Sequence, residues 1–222
     1  MISVIIPLRD EKADAASRFA DVARDPDAEI LVADGGNEPA TLEAFRKIGA
    51  RILTGEGTRG ARLAQAAGRA RGDVLLFLHS DSRLPPGALE AVRKAAARGA
   101  SAGAFSLAYE GADARLRWIA AGANLRSRLF GLPFGDQGLF VDRELYASVG
   151  GFRDLPICDD LDLVRRVSRV TRIRILPERT VTSPRRYRER GPLRQVLRSW
   201  LVQIGWFAGV SPERLERWYN PS

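Results

Sequence analysis

The chain has 222 residues, of which 45% are hydrophobic and 28% are charged, proportions typical of a globular domain and unlike those of collagen-like or disordered chains. The formal net charge of +8 is placed unevenly, because residues 163–222 carry 14 Arg and 4 Glu while residues 1–162 have a slight acidic excess. The single cysteine, Cys158, excludes a disulfide framework within the chain and agrees with a reducing cytoplasm.

The sequence shows neither an export signal nor a membrane-spanning segment. Its first residues lack the basic segment and long apolar run of a signal peptide, and no apolar run approaches the roughly 20 residues that cross a bilayer. We therefore expect a cytoplasmic protein. The basic C-terminal part predicts an anionic partner: nucleic acid, a phosphate-bearing substrate or an anionic membrane surface. The many arginines could also reflect only the codon usage of a GC-rich bacterial genome.

Short apolar runs alternate with helical stretches through the first half of the chain. Strands are predicted at residues 2–6, 28–33, 51–53 and 73–78, and helices at residues 12–24, 39–48, 59–71 and 88–97. Continuous apolar strands separated by helices indicate a parallel sheet covered on both faces. Because ligands of such sheets bind at the carboxyl ends of the strands, the candidate site lies in the residues that follow them.

The second half continues the same domain without repeats or linkers. Strands are predicted at residues 101–109, 137–141 and 172–176, and helices at residues 113–129, 142–149 and 159–170. A C-terminal amphipathic helix then carries one apolar stripe, which comprises Leu193, Val196, Leu197, Trp200, Leu201 and Ile204. Packing on the domain or on a second subunit is the expected role of this stripe, and insertion into an anionic membrane interface is the alternative. Ser211-Pro212 predicts the start of a last helix.

Three polar clusters follow strands of the first half. They are Arg9-Asp10-Glu11, Asp34-Gly35-Gly36-Asn37 and His79-Ser80-Asp81-Ser82. We expect them to converge at one edge of the sheet, where a carboxylate can accept hydrogen bonds from a ribose or base and glycines let a ligand approach the backbone. Asp-Gly is also ordinary turn chemistry, so the second cluster alone does not specify a ligand.

A glycine-rich segment, residues 55–60, leads into a predicted helix and contains Arg59. A helix N-terminus with an arginine suits an anion, although a flexible turn would have the same composition. No GxGxxG follows the first strand and no P-loop motif occurs, which excludes dinucleotide-type redox enzymes and P-loop NTPases.

His79, the only histidine, and Asp81 are candidate metal ligands. Alternation of side-chain directions would place both on the same side, facing one cation. Carboxylates suit hard divalent ions, and an adjacent imidazole favours Mn²⁺ over Mg²⁺. The alternative for His79 is a structural, hydrogen-bonded role.

Two further polar segments lie in the second half. They are Gly135-Asp136-Gln137-Gly138 and Cys158-Asp159-Asp160-Leu161-Asp162. Adjacent carboxylates at the start of a helix can simply cap it. They can also raise each other's pKa, which suits a general base.

Several of these segments occur, in the same order, in family 2 glycosyltransferases. They are Ser3-Val4-Ile5-Ile6-Pro7, Val32-Ala33-Asp34-Gly35-Gly36, Leu76 to Ser82, and Gly150-Gly151-Phe152 with Asp159-Asp160-Leu161-Asp162. Over residues 1–170 the sequence resembles that family. LFLHSDS, LPFGDQGLF, VTSPRRY and GVSPERL further resemble its small bacterial branch called "transferase 2, radical SAM/selenodomain-associated", which extends the resemblance to nearly the whole chain.

The resemblance implies one domain with a GT-A (Rossmann-like) α/β fold, in which helices flank a mostly parallel central sheet. Residues 1–82 would form the nucleotide-binding half, residues 83–190 the acceptor and catalytic half, and residues 191–222 basic amphipathic helices. It also implies a nucleotide-diphosphate-sugar donor, with a UDP-sugar as the default, a divalent metal (Mn²⁺ or Mg²⁺) and inversion at the anomeric carbon.

The resemblance also assigns roles to residues. Asp160 matches the catalytic base, and Asp159 replaces the usual glutamate beside it. His79 stands at the first position of the metal-binding Asp-x-Asp motif and Asp81 at its metal-binding carboxylate. Pattern and resemblance together predict that the nucleotide sugar is bound by Pro7, Arg9, Glu11, Asp34, Gly35, Arg59, Gly60, Ser80, Asp136, Gln137, Arg185 and Arg186.

The sequence thus predicts a metal-assisted, inverting glycosyltransferase with an unknown hydroxyl acceptor. One form of this hypothesis has a lipid-linked acceptor and peripheral contact with the inner face of the membrane. The altered Asp-x-Asp motif leaves a catalytically weak nucleotide-sugar-binding protein as an alternative. A basic nucleic-acid-binding module is disfavoured because interleaved aromatics and nucleic-acid motifs are missing. A nucleotidyltransferase is disfavoured because the N-terminus lacks a glycine-rich phosphate loop.

Overall fold

The computed structural model describes residues 1–219, and its centre is a single sheet. The strands are β1 (Ile2–Leu8), β2 (Ala28–Asp34), β3 (Arg51–Thr54), β4 (Val74–Phe77), β5 (Ser82–Arg83), β6 (Ala102–Tyr109), β7 (Leu139–Asp142) and β8 (Arg174–Thr182). Their order is β3-β2-β1-β4-β7-β6-β8-β5. β3, β2, β1 and β4 are parallel, as are β6 and β8, whereas β7 is antiparallel to β4 and β6, and β5 to β8.

Helices cover the sheet and extend beyond its last strand. They are α1 (Ala20–Ala23), α2 (Pro39–Lys47), α3 (Arg59–Gly68), α4 (Ala88–Ala97), α5 (Ala114–Phe130), α6 (Arg143–Ser148), α7 (Asp159–Ser168), α8 (Arg185–Arg190), α9 (Pro192–Phe207) and α10 (Pro212–Tyr219). Two 3₁₀ segments, Ala13–Phe19 and Gly135–Gln137, complete the set. The predicted α/β fold with a mostly parallel, helix-flanked sheet is confirmed.

Both faces of the sheet are buried, as the continuous apolar strands predict. In β1, Val4 and Ile6 pack with Phe19 and Phe45 on one face. Ile5 joins the core on the opposite face. Successive side chains of a strand point to opposite faces, so an uninterrupted apolar run requires a cover on each side.

Three predicted boundaries differ from the structure for local reasons. The single helix expected at residues 12–24 is a 3₁₀ segment and one α turn, and Ser17 Oγ there donates to Asp14 O at 2.7 Å, a local bond that competes with a regular helix. The strand expected from residue 137 begins at Leu139, because Gly135–Gln137 form a 3₁₀ turn.

The strand expected at residues 172–176 is Arg174–Thr182, with a register shift after Leu176. Pro177 follows Leu176, and a proline lacks the N–H that a regular ladder needs. The sequence did not predict α8, whose charged residues show no apolar periodicity.

The C-terminal segment is helical as predicted, but its apolar stripe does not pack on this domain apart from the half-buried Val196, so packing on a second subunit is the part of that prediction that stays untested. Leu193, Leu197, Trp200, Leu201 and Ile204 are all exposed. The side of α9 that is buried carries Gln195, Val202 and Gly205. Gly205 permits a close approach of α10, because a methyl group there would come within 2.7 Å of Leu215.

Residues 220–222 of the predicted C-terminal segment lie outside the described residues. Within residues 1–219, every helix is too short or too polar to cross a bilayer.

Candidate active site

The three polar clusters of the first half meet at the carboxyl-end edge of the sheet, as predicted. Glu11 joins them, because its backbone N–H donates to Asn37 Oδ1 at 3.0 Å and its carboxylate accepts from Ser80 Oγ at 2.9 Å. Arg9, by contrast, is exposed and lies 3.6 Å from Asp10, which adopts a left-handed backbone conformation. The edge thus holds Glu11 and Ser80 in place, whereas Arg9 is exposed and contacts only its neighbour Asp10.

Asp34 ends β2 and is 2% exposed. Its Oδ1 accepts hydrogen bonds from the backbone N–H groups of Gly36 and Asn37, at 3.1 and 3.0 Å, and from Asn37 Nδ2 at 2.7 Å. Gly36 has a φ of 96°, a conformation that favours glycine. All three bonds use one carboxylate oxygen, so Oδ2 is the oxygen to consider for a ligand.

Arg62 of α3 lies beside this turn, and the sequence analysis did not select it. Its guanidinium packs on Gly35, where a methyl group would come within 2.8 Å of Arg62 Cζ. Nη1 donates to Gly57 O at 2.7 Å, whereas the buried Nε has no hydrogen-bond partner within residues 1–219. A buried cation with an unused donor beside Asp34 suits a ligand that carries acceptor oxygens.

Arg59, at the start of α3, links the glycine-rich segment to the start of α7. Its Nε donates to Asp159 Oδ2 at 3.0 Å and its Nη2 to Asp159 Oδ1, and Nη2 lies 3.8 Å from Asp160 Oδ1. The Asp159 side chain is 3% exposed. Burial lowers the pKa of Arg59, but the charges of Asp159 and Asp160 outweigh burial and raise it above its usual value. Both oxygens of Asp159 are therefore held by Arg59, whereas Asp160 makes only a longer contact with it.

His79 contacts the same arginine. Arg59 Nη1 lies 3.1 Å from His79 Nε2. A guanidinium can only donate, so Nε2 accepts and the ring proton is on Nδ1. Burial and the charge of Arg59 lower the pKa of His79 to about 4, although Asp81 and Asp160 act in the opposite direction. The ring is thus neutral at pH 7, and neither nitrogen offers a free lone pair to a metal.

Asp160 is the partly open member of the predicted catalytic pair, with a side chain that is 22% exposed. Its Oδ2 accepts from the backbone N–H of Gly135 and its Oδ1 from that of Leu161, both at 2.8 Å. Burial raises the pKa of Asp160, but Arg59 and the N–H of Gly135 outweigh burial and hold it below its usual value. Asp160 is therefore an ionised, oriented carboxylate at the first turn of α7.

Asp136 follows Gly135 and sits in a different environment. Burial, together with the charges of Asp160 and Asp81, raises its pKa to about 6 against the opposing effect of Arg126. Its buried Oδ1 has no hydrogen-bond partner in the described part of the chain. Asp81, Asp136 and Asp160 therefore form a group of carboxylates whose charges repel one another.

These three carboxylates can hold a divalent cation only if a substrate supplies further ligands. No three His, Cys, Asp or Glu side chains between residues 1 and 219 converge closely enough to bind a metal by themselves. Mg²⁺ sites commonly use one or two carboxylates together with phosphate oxygens of a substrate. Asp81 fits such a site, and the unpartnered Asp136 Oδ1 marks a local excess of negative charge.

Other predicted binding residues hold the surrounding backbone. Gln137 is fully buried, with Oε1 accepting from Ser127 Oγ at 2.7 Å and Nε2 donating to Phe105 O at 3.0 Å. A methyl group at Gly60 would collide with the carbonyl of Arg153, so Gly60 lets α3 pack against the segment before α7. These contacts place Gln137 and Gly60 as supports of the site.

The remaining predicted residues border the site. Pro7 lines a small cavity together with Arg59, His79 and Asp160. Arg185 and Arg186 are exposed on α8, and the charge of Arg186 is among those that lower the pKa of His79. The two arginines therefore stand at the open side of the site.

The family model described as Glycosyl transferase family 2 matches residues 3–144. The chain belongs to this family. The matched residues include Asp34, Arg59, His79 and Asp136, whereas Asp160 lies beyond them. The predicted family is thus confirmed, while membership of the radical SAM/selenodomain-associated branch stays a prediction.

The fold of this family 2 chain is similar to that of solved glycosyltransferases. The mannosyltransferase PcManGT from Pyrobaculum calidifontis, in complex with GDP-Man and Mn²⁺, shares 19% identity with a TM-score of 0.68, over 91% of this chain and 61% of that one. TarS 1-349 from S. aureus, in complex with UDP-GlcNAc, shares 16% identity with a TM-score of 0.66, over 82% and 58%.

A third similar structure is the glucosyl-3-phosphoglycerate synthase from Mycobacterium tuberculosis in complex with Mn²⁺, UDP and phosphoglyceric acid. It shares 19% identity with a TM-score of 0.60, over 92% of this chain and 78% of that one. The chain spans about three fifths of the length of the first two proteins. A search of curated proteins found no match to the sequence.

Two groups of the site should give the family 2 chain opposing pH dependences of stability. Asp136 has its pKa raised from 3.8 to about 6, so the folded chain loses stability as the pH rises from about 4 to about 6. His79 has its pKa lowered from 6.5 to about 4, so the folded chain gains stability over nearly the same range. In the unsubstituted protein the two slopes largely cancel.

Asp136→Asn should remove the loss of stability with rising pH that Asp136 causes and leave the gain that His79 causes. We expect its free energy of unfolding to rise with pH relative to that of the unsubstituted protein, by up to about 3 kcal/mol at neutral pH. Urea unfolding in a chelating buffer, repeated between about pH 4 and about pH 7, measures this difference. Asp21→Asn, at an exposed carboxylate of α1, is the control and should follow the unsubstituted protein. A difference that is constant with pH would contradict the assigned ionisation of Asp136.

Proposed function

We propose that the protein is an inverting glycosyltransferase that moves a sugar from a nucleotide-diphosphate sugar to a hydroxyl acceptor in the cytoplasm. The observation that carries this proposal is the contact network at Arg59. Arg59 contacts both Asp159 and His79, whereas Asp160 is ionised and partly exposed beside the carboxyl end of β4. An ionised carboxylate held in a fixed orientation and open to a ligand can accept the proton of a hydroxyl group.

The nucleoside of the donor would bind at the Asp34 turn. Asp34 offers Oδ2 to the ribose or base, and the free Nε–H of Arg62 can donate to a carbonyl or phosphate oxygen of the same ligand. The similar structures contain GDP-Man, UDP-GlcNAc and UDP, so guanine and uracil nucleotides are the first candidates. A UDP-sugar remains the default donor.

The diphosphate would lie between Asp81 and the arginines of α8. Asp81 would hold a divalent cation, Mn²⁺ or Mg²⁺, together with phosphate oxygens of the donor. Two of the similar structures contain Mn²⁺. Such a cation would offset the negative charge that develops on the departing nucleoside diphosphate. His79 suits an indirect role better, because its Nε2 accepts from Arg59.

Asp160 would accept the proton of the acceptor hydroxyl. As that proton moves to the carboxylate, the acceptor oxygen forms a bond to the anomeric carbon and the bond from that carbon to the diphosphate oxygen breaks. The N–H of Gly135 and the nearby Arg59 fix the carboxylate's position during this step. Arg185 and Arg186, which are exposed, would bind the released diphosphate oxygens.

Asp136 is a second candidate for the base. Its pKa of about 6 is closer to neutral pH than that of Asp160, and a base works best when its pKa lies near the working pH. Substitution of the two residues separately decides between them.

Donor binding provides the first test of the proposed function. A panel of UDP-, GDP- and dTDP-sugars with Mn²⁺ should include one that stabilises the protein against heat, by about 2.7 kcal/mol at 100 times its Kd. Slow, Mn²⁺-dependent hydrolysis of that donor would distinguish an enzyme from a binding protein with no activity. Absence of stabilisation by every donor, with and without Mn²⁺, would contradict the proposal.

Asp81→Ala should weaken Mn²⁺-dependent donor binding by about tenfold or more, because a methyl group cannot replace a carboxylate that holds the cation. Titration calorimetry with the donor, in the presence and absence of Mn²⁺, measures the loss. Asp73→Ala is the matched control, since Asp73 is an exposed aspartate just before β4. Equal Mn²⁺-dependent affinity in Asp81→Ala and Asp73→Ala would remove Asp81 from the metal site.

A further inference from the structure

The outward side of α9 is an apolar surface without a partner in the described chain. Its members recur at helical spacing and are 51–73% exposed: Leu193, Leu197, Trp200, Leu201 and Ile204. We call them the outer face of α9. Single exposed apolar residues are normal on a soluble domain, but a continuous stripe along a whole helix marks an interaction surface.

The exposure does not come from a loosely attached helix. On its inward side Val202 packs with Leu215 of α10 and with Cys158 and Leu161 at the start of α7. Gln195 donates to the Tyr219 hydroxyl at 3.0 Å, which joins α9 to α10. The outer face is therefore held in a fixed orientation, on a helix that covers the residues beside Asp159.

The charges around the outer face indicate what covers it. α9 contains two arginines, Arg194 and Arg198, and no acidic residue, and both arginines line a groove together with Leu193, Leu197, Leu201 and Trp218. Neither arginine forms an ion pair within residues 1–219; Arg194 is exposed, whereas the half-buried Arg198 donates from Nη1 to the backbone oxygen of Tyr219 at 3.2 Å and keeps its charge. The acidic and basic residues of α10 balance each other, so α9 keeps its positive charge.

A second copy of the chain is a poor match for this face. Two outer faces packed against each other would bring four arginines together, with no carboxylate of α9 to pair with them. An anionic lipid surface, in contrast, supplies both an apolar layer for the stripe and negative headgroups for the arginines.

We propose that α9 lies in the interface of an anionic membrane, with its outer face in the acyl region and Arg194 and Arg198 at the level of the headgroups. At 16 residues the helix is about 24 Å long, and its inward side packs on α10 and on the start of α7, which suits a position parallel to the membrane. The start of α7 would then be held close to the membrane surface. If the proposed function is right, this arrangement suits an acceptor carried by a lipid.

Vesicle binding tests the proposal without any use of activity. The full chain should sediment with vesicles of phosphatidylcholine and phosphatidylglycerol, and not with phosphatidylcholine alone, and high salt should weaken the binding. Trp200→Glu should abolish the binding, and Arg194→Gln should weaken it about fivefold. Trp118→Glu, at a tryptophan of α5 that is 79% exposed, is the matched control and should bind like the unsubstituted protein.

Circular dichroism and urea unfolding of each variant verify that the fold is kept. Failure of the unsubstituted protein to bind the anionic vesicles at low salt would overturn the proposal, as would equal binding by Trp200→Glu. Sedimentation velocity tests the other occupant: a dimer that Trp200→Glu dissociates, without vesicle binding, would assign the face to a second copy.

Discussion

Arg59→Met should lower the free energy of unfolding by about 3–5 kcal/mol, because it leaves the Asp159 carboxylate buried without its partner. Asp159 is 3% exposed and both of its oxygens accept from Arg59 in the folded chain. Methionine keeps the apolar length of the arginine stem but provides no donor. Urea unfolding monitored by circular dichroism measures the change.

Two further variants show whether the unpaired carboxylate is the cause. Arg59→Met combined with Asp159→Asn should recover most of the loss, because a neutral amide costs much less to bury than a charge. Arg93→Met breaks the pair with Asp25, a carboxylate that is more exposed than Asp159, and should cost only about 1 kcal/mol. A stability of Arg59→Met within about 1 kcal/mol of the unsubstituted protein would mean that Asp159 finds solvent or another donor.

Asp160→Asn should lower turnover by about 10²- to 10⁴-fold while donor affinity changes little, since an amide is a poor proton acceptor but fills the same space. The amide oxygen can still accept from the N–H of Gly135, so the loop should keep its position, while the bond that Oδ1 accepts from the N–H of Leu161 is given up. Initial rates with a saturating donor, together with calorimetric donor binding, separate the two effects. The donor is the one identified by the stability panel.

Asp136→Asn serves as the comparison in the same assay. If Asp160 is the base, Asp136→Asn should retain far more turnover than Asp160→Asn. The reverse order, with Asp160→Asn active and Asp136→Asn inactive, would move the base to Asp136. Equal turnover in both variants and in the unsubstituted protein would exclude both carboxylates.

The helical cover on both faces of the sheet followed from local sequence, and so did the edge at which the site forms, whereas the strand order and the antiparallel β5 and β7 did not. Strands such as β1 and β4 are apolar without interruption, and this pattern requires a sheet covered on both faces. Once those strands are parallel, the residues that follow them must meet at one edge. Glu11, Asp34 and Ser80 do so.

The partners within the site could not be predicted in the same way. Arg59 and Asp159 are 100 residues apart, and their contact depends on how closely α3 approaches α7. Arg62 has no local signal that separates it from the chain's many other arginines. Its burial against Gly35 is a product of the assembled fold.

The exposure of the apolar stripe on α9 also could not be predicted from local sequence. The spacing of Leu193, Leu197 and Trp200 predicts a stripe but does not say which side of the helix meets the domain. Gly205 decides this, because the close approach of Leu215 is possible only on the side without a side chain. The absence of a side chain at Gly205 thus allows this side of α9 to pack on α10, and the large apolar residues of the stripe lie on the opposite, exposed side.

Gly135 also restricts the order in which substitutions can accumulate at the site. A methyl group at position 135 would come within 2.5 Å of His79 Nε2 and 2.9 Å of Asp160 Oδ2. The backbone at Gly135 does not require a positive φ, so the obstacle to alanine is only the lack of space. A lineage could therefore accept alanine at position 135 only if a smaller residue replaced His79 and the Asp160 carboxylate also shifted. Gly135 is thus constrained by both residues, and replacement of His79 alone does not remove the obstacle.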